Sequence, residues 1–228
     1  MKRSFIIAVD GPGGVGKSTV SRVIAKKLGG LYVDTGAMYR AFALALHKEG
    51  IKVDDEDALG RFCSNLNIIY RADEGGIFIN GTDYSALIRT EEAGALASAV
   101  AVNSIVRRTL VAYQRTFGND GIIVVMEGRD IGTKVYPEAD IKFFLDADAS
   151  VRAKRRLKEG RDGLGAKEIE EILAKRDRKD SSRRDSPLAR AEDALYIDST
   201  KIDINEVVTL LLDHIEKKLP ASNRAPSE

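Results

Sequence analysis

Phe5 to Val9 is an unbroken apolar run ended by glycines, as expected of a strand covered on both faces in a parallel sheet. From Lys17 to Leu28 the period becomes helical, with Val20, Val23, Ile24 and Leu28 on one face and Gly29-Gly30 as the stop. Leu31 to Val33 predicts a second short strand, followed by a helix from about Ala37 to Glu49 that Gly50 ends. Ile122 to Met126 and Ile141 to Leu145 predict two more strands, and Ala194 to Ile197 a weaker fifth. A last helix over about Asp203 to Leu219 carries Val207, Val208, Leu211, Leu212 and Ile215 on its apolar face. Strands alternating with helices in this way predict an α/β fold, a doubly wound five-stranded parallel sheet.

One stretch breaks the alternation. Asn67 to Arg71 and Ile77 to Ile79 read as short strands around Asp73-Glu74-Gly75-Gly76, and Asn80-Gly81 is a strong hairpin-turn signal. A small antiparallel insertion over residues 62–103 is therefore expected within one domain spanning 1–220. The polar, proline-bearing end, residues 221–228, is expected to be disordered.

Composition narrows the function classes. Lys+Arg (36) and Asp+Glu (35) nearly cancel, so the chain lacks the broad positive field on which non-specific nucleic-acid binding relies. Anion chemistry must come from local arginine clusters. The sole cysteine, Cys63, excludes an intramolecular disulfide, and its apolar neighbours Leu59, Phe62 and Leu66 suggest a small buried filler. No apolar run approaches the length of a membrane span or a signal core. A cytoplasmic protein with no membrane or nucleic-acid partner is expected, and a monomer, since no exposed apolar repeat suggests a partner surface.

Gly11-Pro12-Gly13-Gly14-Val15-Gly16-Lys17-Ser18 fits G-x-x-x-x-G-K-[ST] at every fixed position, with Thr19 next. Glycines let consecutive N–H groups curl round a phosphate, and the following helix presents its positive end to the same anion. Lys17 is expected to reach the outer phosphates of ATP, and Ser18 to offer its hydroxyl to Mg²⁺. Context supports the motif, which follows a buried strand and opens an amphipathic helix. A GTPase would need an N-K-x-D base reader, which the sequence lacks. Glu127-Gly128-Arg129-Asp130 is not the acidic pair of an ATPase motor. Arginines recur instead at element ends, namely Arg40, Arg107, Arg129, Arg176 and Arg183. A phosphate acceptor together with a migrating phosphoryl group needs several guanidiniums.

Three segments carry a resemblance: Asp34-Thr35-Gly36-Ala37-Met38-Tyr39-Arg40, Glu127-Gly128-Arg129-Asp130-Ile131-Gly132-Thr133, and Leu195-Tyr196-Ile197-Asp198-Ser199-Thr200. Together with the phosphate loop they resemble the bacterial cytidylate kinases over roughly residues 4 to 218. That resemblance implies a nucleoside-monophosphate-binding insertion, a short lid over 150–167, and phosphoryl transfer from Mg²⁺-bound ATP to CMP or dCMP. It implies that Arg40, Arg129 and Arg183 hold the acceptor phosphate, Lys17, Arg129 and Arg183 serving catalysis. Ser98, Arg107 and Asp130 would read cytosine, Arg176 and Asp180 the sugar, and Asp34 and Thr35 the acceptor or metal-bound water. Asp130 can accept from the cytosine amino group and Arg107 can donate to the ring acceptors, a pattern that uracil reverses.

Simpler readings stand beside these. Ser98, in an Ala-rich helix, could serve close packing, and Asp180, in a charge run, a solvated face. The i, i+4, i+7 spacing of Arg176, Asp180 and Arg183 favours a shared ligand. Arg152, Arg155 and Arg156 follow the cap-like Asp148-Ala149-Ser150 and precede Gly160-Arg161-Asp162-Gly163-Leu164-Gly165, a pattern like a nucleotide-kinase lid. Arg156 is taken as its ATP ligand. His47 and His214 have no ligand-spaced partners, and an already anionic acceptor needs little base. A shikimate-kinase-like enzyme acting on a small hydroxyl metabolite and a regulatory nucleotide-binding protein are the competing readings.

Overall fold

The computed structural model describes residues 3–72, 76–158 and 165–220. The Asp73–Gly75 part of the first insertion turn, the 159–164 part of the expected lid and the 221–228 tail lie outside the described residues. In chain order the first elements are β1 (Phe5–Asp10), α1 (Lys17–Lys27), β2 (Leu31–Asp34), α2 (Thr35–Lys48), α3 (Glu56–Ser64) and β3 (Ile68–Arg71). There follow β4 (Gly76–Ile79), β5 (Thr82–Asp83), α4 (Glu91–Val100) and α5 (Ser104–Thr116). The chain continues with β6 (Ile123–Gly128), a π-helical turn (Ile131–Val135), β7 (Ile141–Asp146), α6 (Ala149–Lys158), α7 (Ala166–Ser181), β8 (Leu195–Asp198) and α8 (Ile204–Lys218). Two compact units result, Met1–Val33 with Phe117–Glu228, and Asp34–Thr116.

The first unit is built on a five-stranded sheet of order β2-β6-β1-β7-β8. β1 pairs in parallel with β6 and with β7, and β7 in parallel with β8. All six residues of β1 are buried, which is why its first five, Phe5–Val9, are continuously apolar rather than alternating, with the buried Asp10 at its end. Phe5, Ile7 and Val9 pack with Val125, Phe143, Leu145, Val20, Ile24, Leu211 and Ile215 in one core. A satellite cluster of Ala153, Ile169 and Leu173 joins α6 to α7.

In the second unit, β3, β4 and β5 form an antiparallel sheet, and the insertion expected at 62–103 lies within this unit. Asn80 (φ 48°) and Gly81 (φ 78°) are both left-handed, the conformation that a two-residue hairpin turn requires. α2 begins at Thr35, two residues before the expected start, because the Asp34 side chain accepts from the Ala37 N–H and caps it. Cys63 is half-buried rather than buried: α3 turns Leu59 and Phe62 inward and leaves the thiol on the flank. Burial raises that thiol above its usual value, outweighing a hydrogen bond with Thr109, so the thiolate is disfavoured. His47 is exposed. His214 packs edge-on against Phe143, with ring centroids 5.6 Å apart. No single helix among the described residues is long and apolar enough to cross a membrane.

Candidate active site

In the first unit the chain leaves β1 through Gly11, whose φ is +148° and whose added Cβ would lie 2.1 Å from the Leu145 carbonyl oxygen. Only glycine can take this turn beside β7. Gly11, Pro12, Gly13, Val15 and Lys17 are buried, Gly14, Gly16 and Ser18 half-buried, and Thr19 exposed. α1 starts from a left-handed Gly16 with no side-chain cap and no acid in its first turn, so its first N–H groups are left to an anion. Lys17 Nζ donates to the Pro12 carbonyl at 2.7 Å. Burial, and then the charge of Arg129, push the Lys17 ammonium below its usual range.

The loop is braced from outside. Arg152 donates through Nη1 to the Gly13 carbonyl (3.0 Å) and through Nε to the Ala147 carbonyl (2.9 Å), and it pairs with Asp177. Asp177 in turn accepts from the Gly13 N–H at 3.2 Å. Arg155 donates to the Val15 carbonyl (3.2 Å) and to Ser199. Two of the three arginines of α6 therefore hold the loop's own backbone, and Arg156 is half-buried on the same helix. The sequence reading missed Asp177, which lay inside a charge run with no motif to single it out.

Arg129, just past β6, donates through Nη1 to the Gly11 carbonyl (3.0 Å) and through Nε to Asp180 (3.0 Å). Asp180 is buried, not on a solvated face. Arg183 donates to its other oxygen, and Arg176 Nε stands 4.0 Å away. Burial alone would raise the Asp180 carboxyl, but Arg129, Arg183 and Arg176 together hold it below the usual carboxylate value. The Arg183 Nε is buried with no hydrogen-bond partner among the described residues. Asp130 is buried at the start of the π-helical turn, its carbonyl accepting from Lys134 and Val135. Two further buried carboxylates were not anticipated. Asp10 accepts from the Ile131 and Gly132 N–H groups at 2.8 and 2.7 Å, and Glu127 accepts from the Tyr32 hydroxyl at 2.6 Å. Both end strands that read as purely apolar, and only their position at the carboxyl edge of the sheet could have marked them.

In the second unit Asp34 uses one carboxylate oxygen as the α2 cap and the other to hold Arg40 Nη2 at 3.3 Å. A Cβ on Gly36 would come 3.1 Å from the Asp34 carboxylate and 3.2 Å from the Arg40 guanidinium. Thr35 is buried beside them. Arg40 Nε is buried without a hydrogen-bond partner among the described residues. Arg107 is buried, donates to the Ala101 carbonyl at 3.4 Å and lies 5.6 Å over the Tyr39 ring. Ser98 is half-buried on α4.

Among the described residues no group of three or more His, Cys, Asp or Glu side chains could hold a metal. The Ser18 hydroxyl and the buried carboxylates are oxygen donors, which suit a hard cation that arrives with phosphates and keeps its waters.

The cytidylate kinase family model matches residues 7–217. A cytidylate kinase of Citrifermentans bemidjiense is 42% identical over 98% of this chain and 97% of its own length. One from Bacillus subtilis is 43% identical over 96% of this chain and 99% of its own. Among solved structures, a gluconokinase from Sinorhizobium meliloti superposes with a TM-score of 0.51 over 95% of this chain and 94% of that one. At 14% identity it speaks for the fold alone. With the family match running from β1 into the last helix, over the phosphate loop and the arginines alike, the chain belongs to the cytidylate kinase family.

Proposed function

We propose that this enzyme transfers the γ-phosphoryl group of ATP to CMP or dCMP, giving ADP and CDP or dCDP. The observation that carries the reading is Arg129, which joins the phosphate loop (through Gly11) to the Asp180-centred arginine cluster in a chain related along its length to cytidylate kinases. The loop N–H groups, Lys17 and Arg156 bind the donor phosphates. Ser18 would hold Mg²⁺, which would neutralise donor-phosphate charge. An anionic oxygen of the acceptor phosphate attacks the γ-phosphorus in line, and the bond to the ADP oxygen breaks, so no general base is needed to deprotonate the nucleophile. Arg40, Arg129 and Arg183 hold the acceptor phosphate and offset charge on the migrating group, which is where orphaned guanidinium N–H groups at Arg40 and Arg183 would find acceptors. Asp130, Arg107 and Ser98 read the cytosine edge, and Arg176 and Asp180 serve the sugar side.

Assaying ADP release and product formation with CMP, dCMP, UMP, AMP and shikimate tests the proposal. Turnover concentrated on CMP and dCMP is expected. Preferred turnover of shikimate, or ATP binding with no product from any acceptor, would overturn it.

A further inference from the structure

We infer that Asp10 is a positioning residue for the Arg129-Asp130 segment; this rests on the acceptor roles proposed above. Asp10 is the last residue of β1 and is 4% exposed. The turn Ile131–Val135 begins with two N–H groups that no residue before it in the turn can satisfy, and its own start, Asp130, provides no side-chain cap. Asp10, more than a hundred residues earlier in the chain, supplies it. One carboxylate oxygen takes the Ile131 N–H and the other the Gly132 N–H, at 2.8 and 2.7 Å.

Such paired charge-assisted bonds fix orientation as well as position. They tie the turn to the strand end from which Gly11 starts the phosphate loop, while Arg129 closes the same ring through its bond to the Gly11 carbonyl. The segment Arg129-Asp130 is thereby held at both ends, by its guanidinium in front and by the clamped turn behind. Gly132 fits this arrangement: a Cβ there would come 3.4 Å from the Asp10 carboxylate and 3.1 Å from Lys142 Cδ. Burying an ionised carboxylate is costly, and burial raises Asp10 to about 7 despite its two N–H donors. With the Lys17 charge as a lesser support, both oxygens of this buried carboxylate go to backbone donors of one turn, which is a positional task.

The test is steady-state kinetics on Asp10→Asn, whose amide keeps one acceptor and sets an N–H₂ against the second donor, with Gly132→Ala as an independent disturbance of the same clamp. KM for CMP is expected to rise, and kcat to fall, by about tenfold or more in each, since small misplacements of positioning groups cost that much. KM for ATP should change less than KM for CMP in Asp10→Asn, which also removes a charge near Lys17, and stay within about twofold in Gly132→Ala, because the loop is braced separately by Arg152 and Arg155. Amide hydrogen exchange at Ile131 and Gly132 should accelerate at least about tenfold in Asp10→Asn while β1 stays protected. Unchanged KM for CMP, a parallel rise in KM for ATP in Gly132→Ala, or unchanged exchange at the two amides in Asp10→Asn would each overturn the inference. A wild-type enzyme that ignores CMP would instead overturn the functional reading, and the exchange measurement would still decide the clamp.

Discussion

Replacing Asp180 by asparagine removes the charge on which three guanidiniums converge while leaving its shape. Breaking a buried ion pair from one side costs about 3–5 kcal/mol, most of it from stranding the partner charge. Here the Arg129 and Arg176 side chains keep 17% and 33% of their area in solvent, so the lower end, about 3 kcal/mol, applies. At about 2–4 °C per kcal/mol for a chain of this size, Tm should fall by about 6–12 °C. Thermal melts followed by circular dichroism, at low salt and over a range of pH, measure it. The sign of the pH dependence follows from the depressed carboxyl. Its stabilisation is present above the unfolded-state value of about 3.9 and is lost as pH falls through the lower folded value. The gap between wild type and variant should therefore be constant from about pH 5 to 8 and close only in acid below about pH 4. A variant melting within about 1 °C of wild type at neutral pH, or a gap that is gone by about pH 5, would refute the reasoning.

Three further outcomes follow from the same geometry. Gly11→Ala places a Cβ 2.1 Å from the Leu145 carbonyl in a left-handed backbone, so loss of soluble folded protein or of ATP binding is expected, read by expression and calorimetry. Arg129→Ala should lower kcat for CMP by about a thousandfold or more with the Kd for ATP changed only a few-fold, measured by turnover beside equilibrium titration. Arg152→Ala unties Gly13, Ala147 and Asp177 at once; it should raise KM for ATP by about tenfold with a smaller change in KM for CMP, the reverse of the Asp10→Asn pattern.

Much of this was legible in the chain. β1 is buried on both faces and so reads as Phe5–Val9 without interruption, and the phosphate loop is spelled out because each glycine answers a backbone requirement. The Asn80-Gly81 turn was readable for the same reason, since few other residues tolerate two left-handed positions in succession. What escaped were contacts made across the fold by residues whose local context is bland. Asp10 looks like the polar end of a strand until a turn more than a hundred residues later delivers two N–H groups to it. Asp177 looks solvated until Arg152 and Gly13 meet it. The α2 start was misplaced because a capping aspartate and a loop aspartate read alike. Spacing did bring Arg176 and Asp180 to one face of α7, but the helix ends at Ser181 and Arg183 reaches Asp180 from just beyond it, while Arg129 joins them from the end of β6.

The cluster around Asp180 also has a charge balance. Three guanidiniums against one carboxylate leave a surplus of two positive charges. A phosphomonoester near neutral pH carries about −1.5 to −2, which would offset that surplus with the acceptor phosphate held as proposed above. On the acceptor site proposed above, Asp180 would act as a regulator of valence beside its sugar contact, trimming the arginine cluster toward the charge of a monophosphate. Variants that raise the surplus to three or lower it to one would shift the match toward more or less highly charged acceptors.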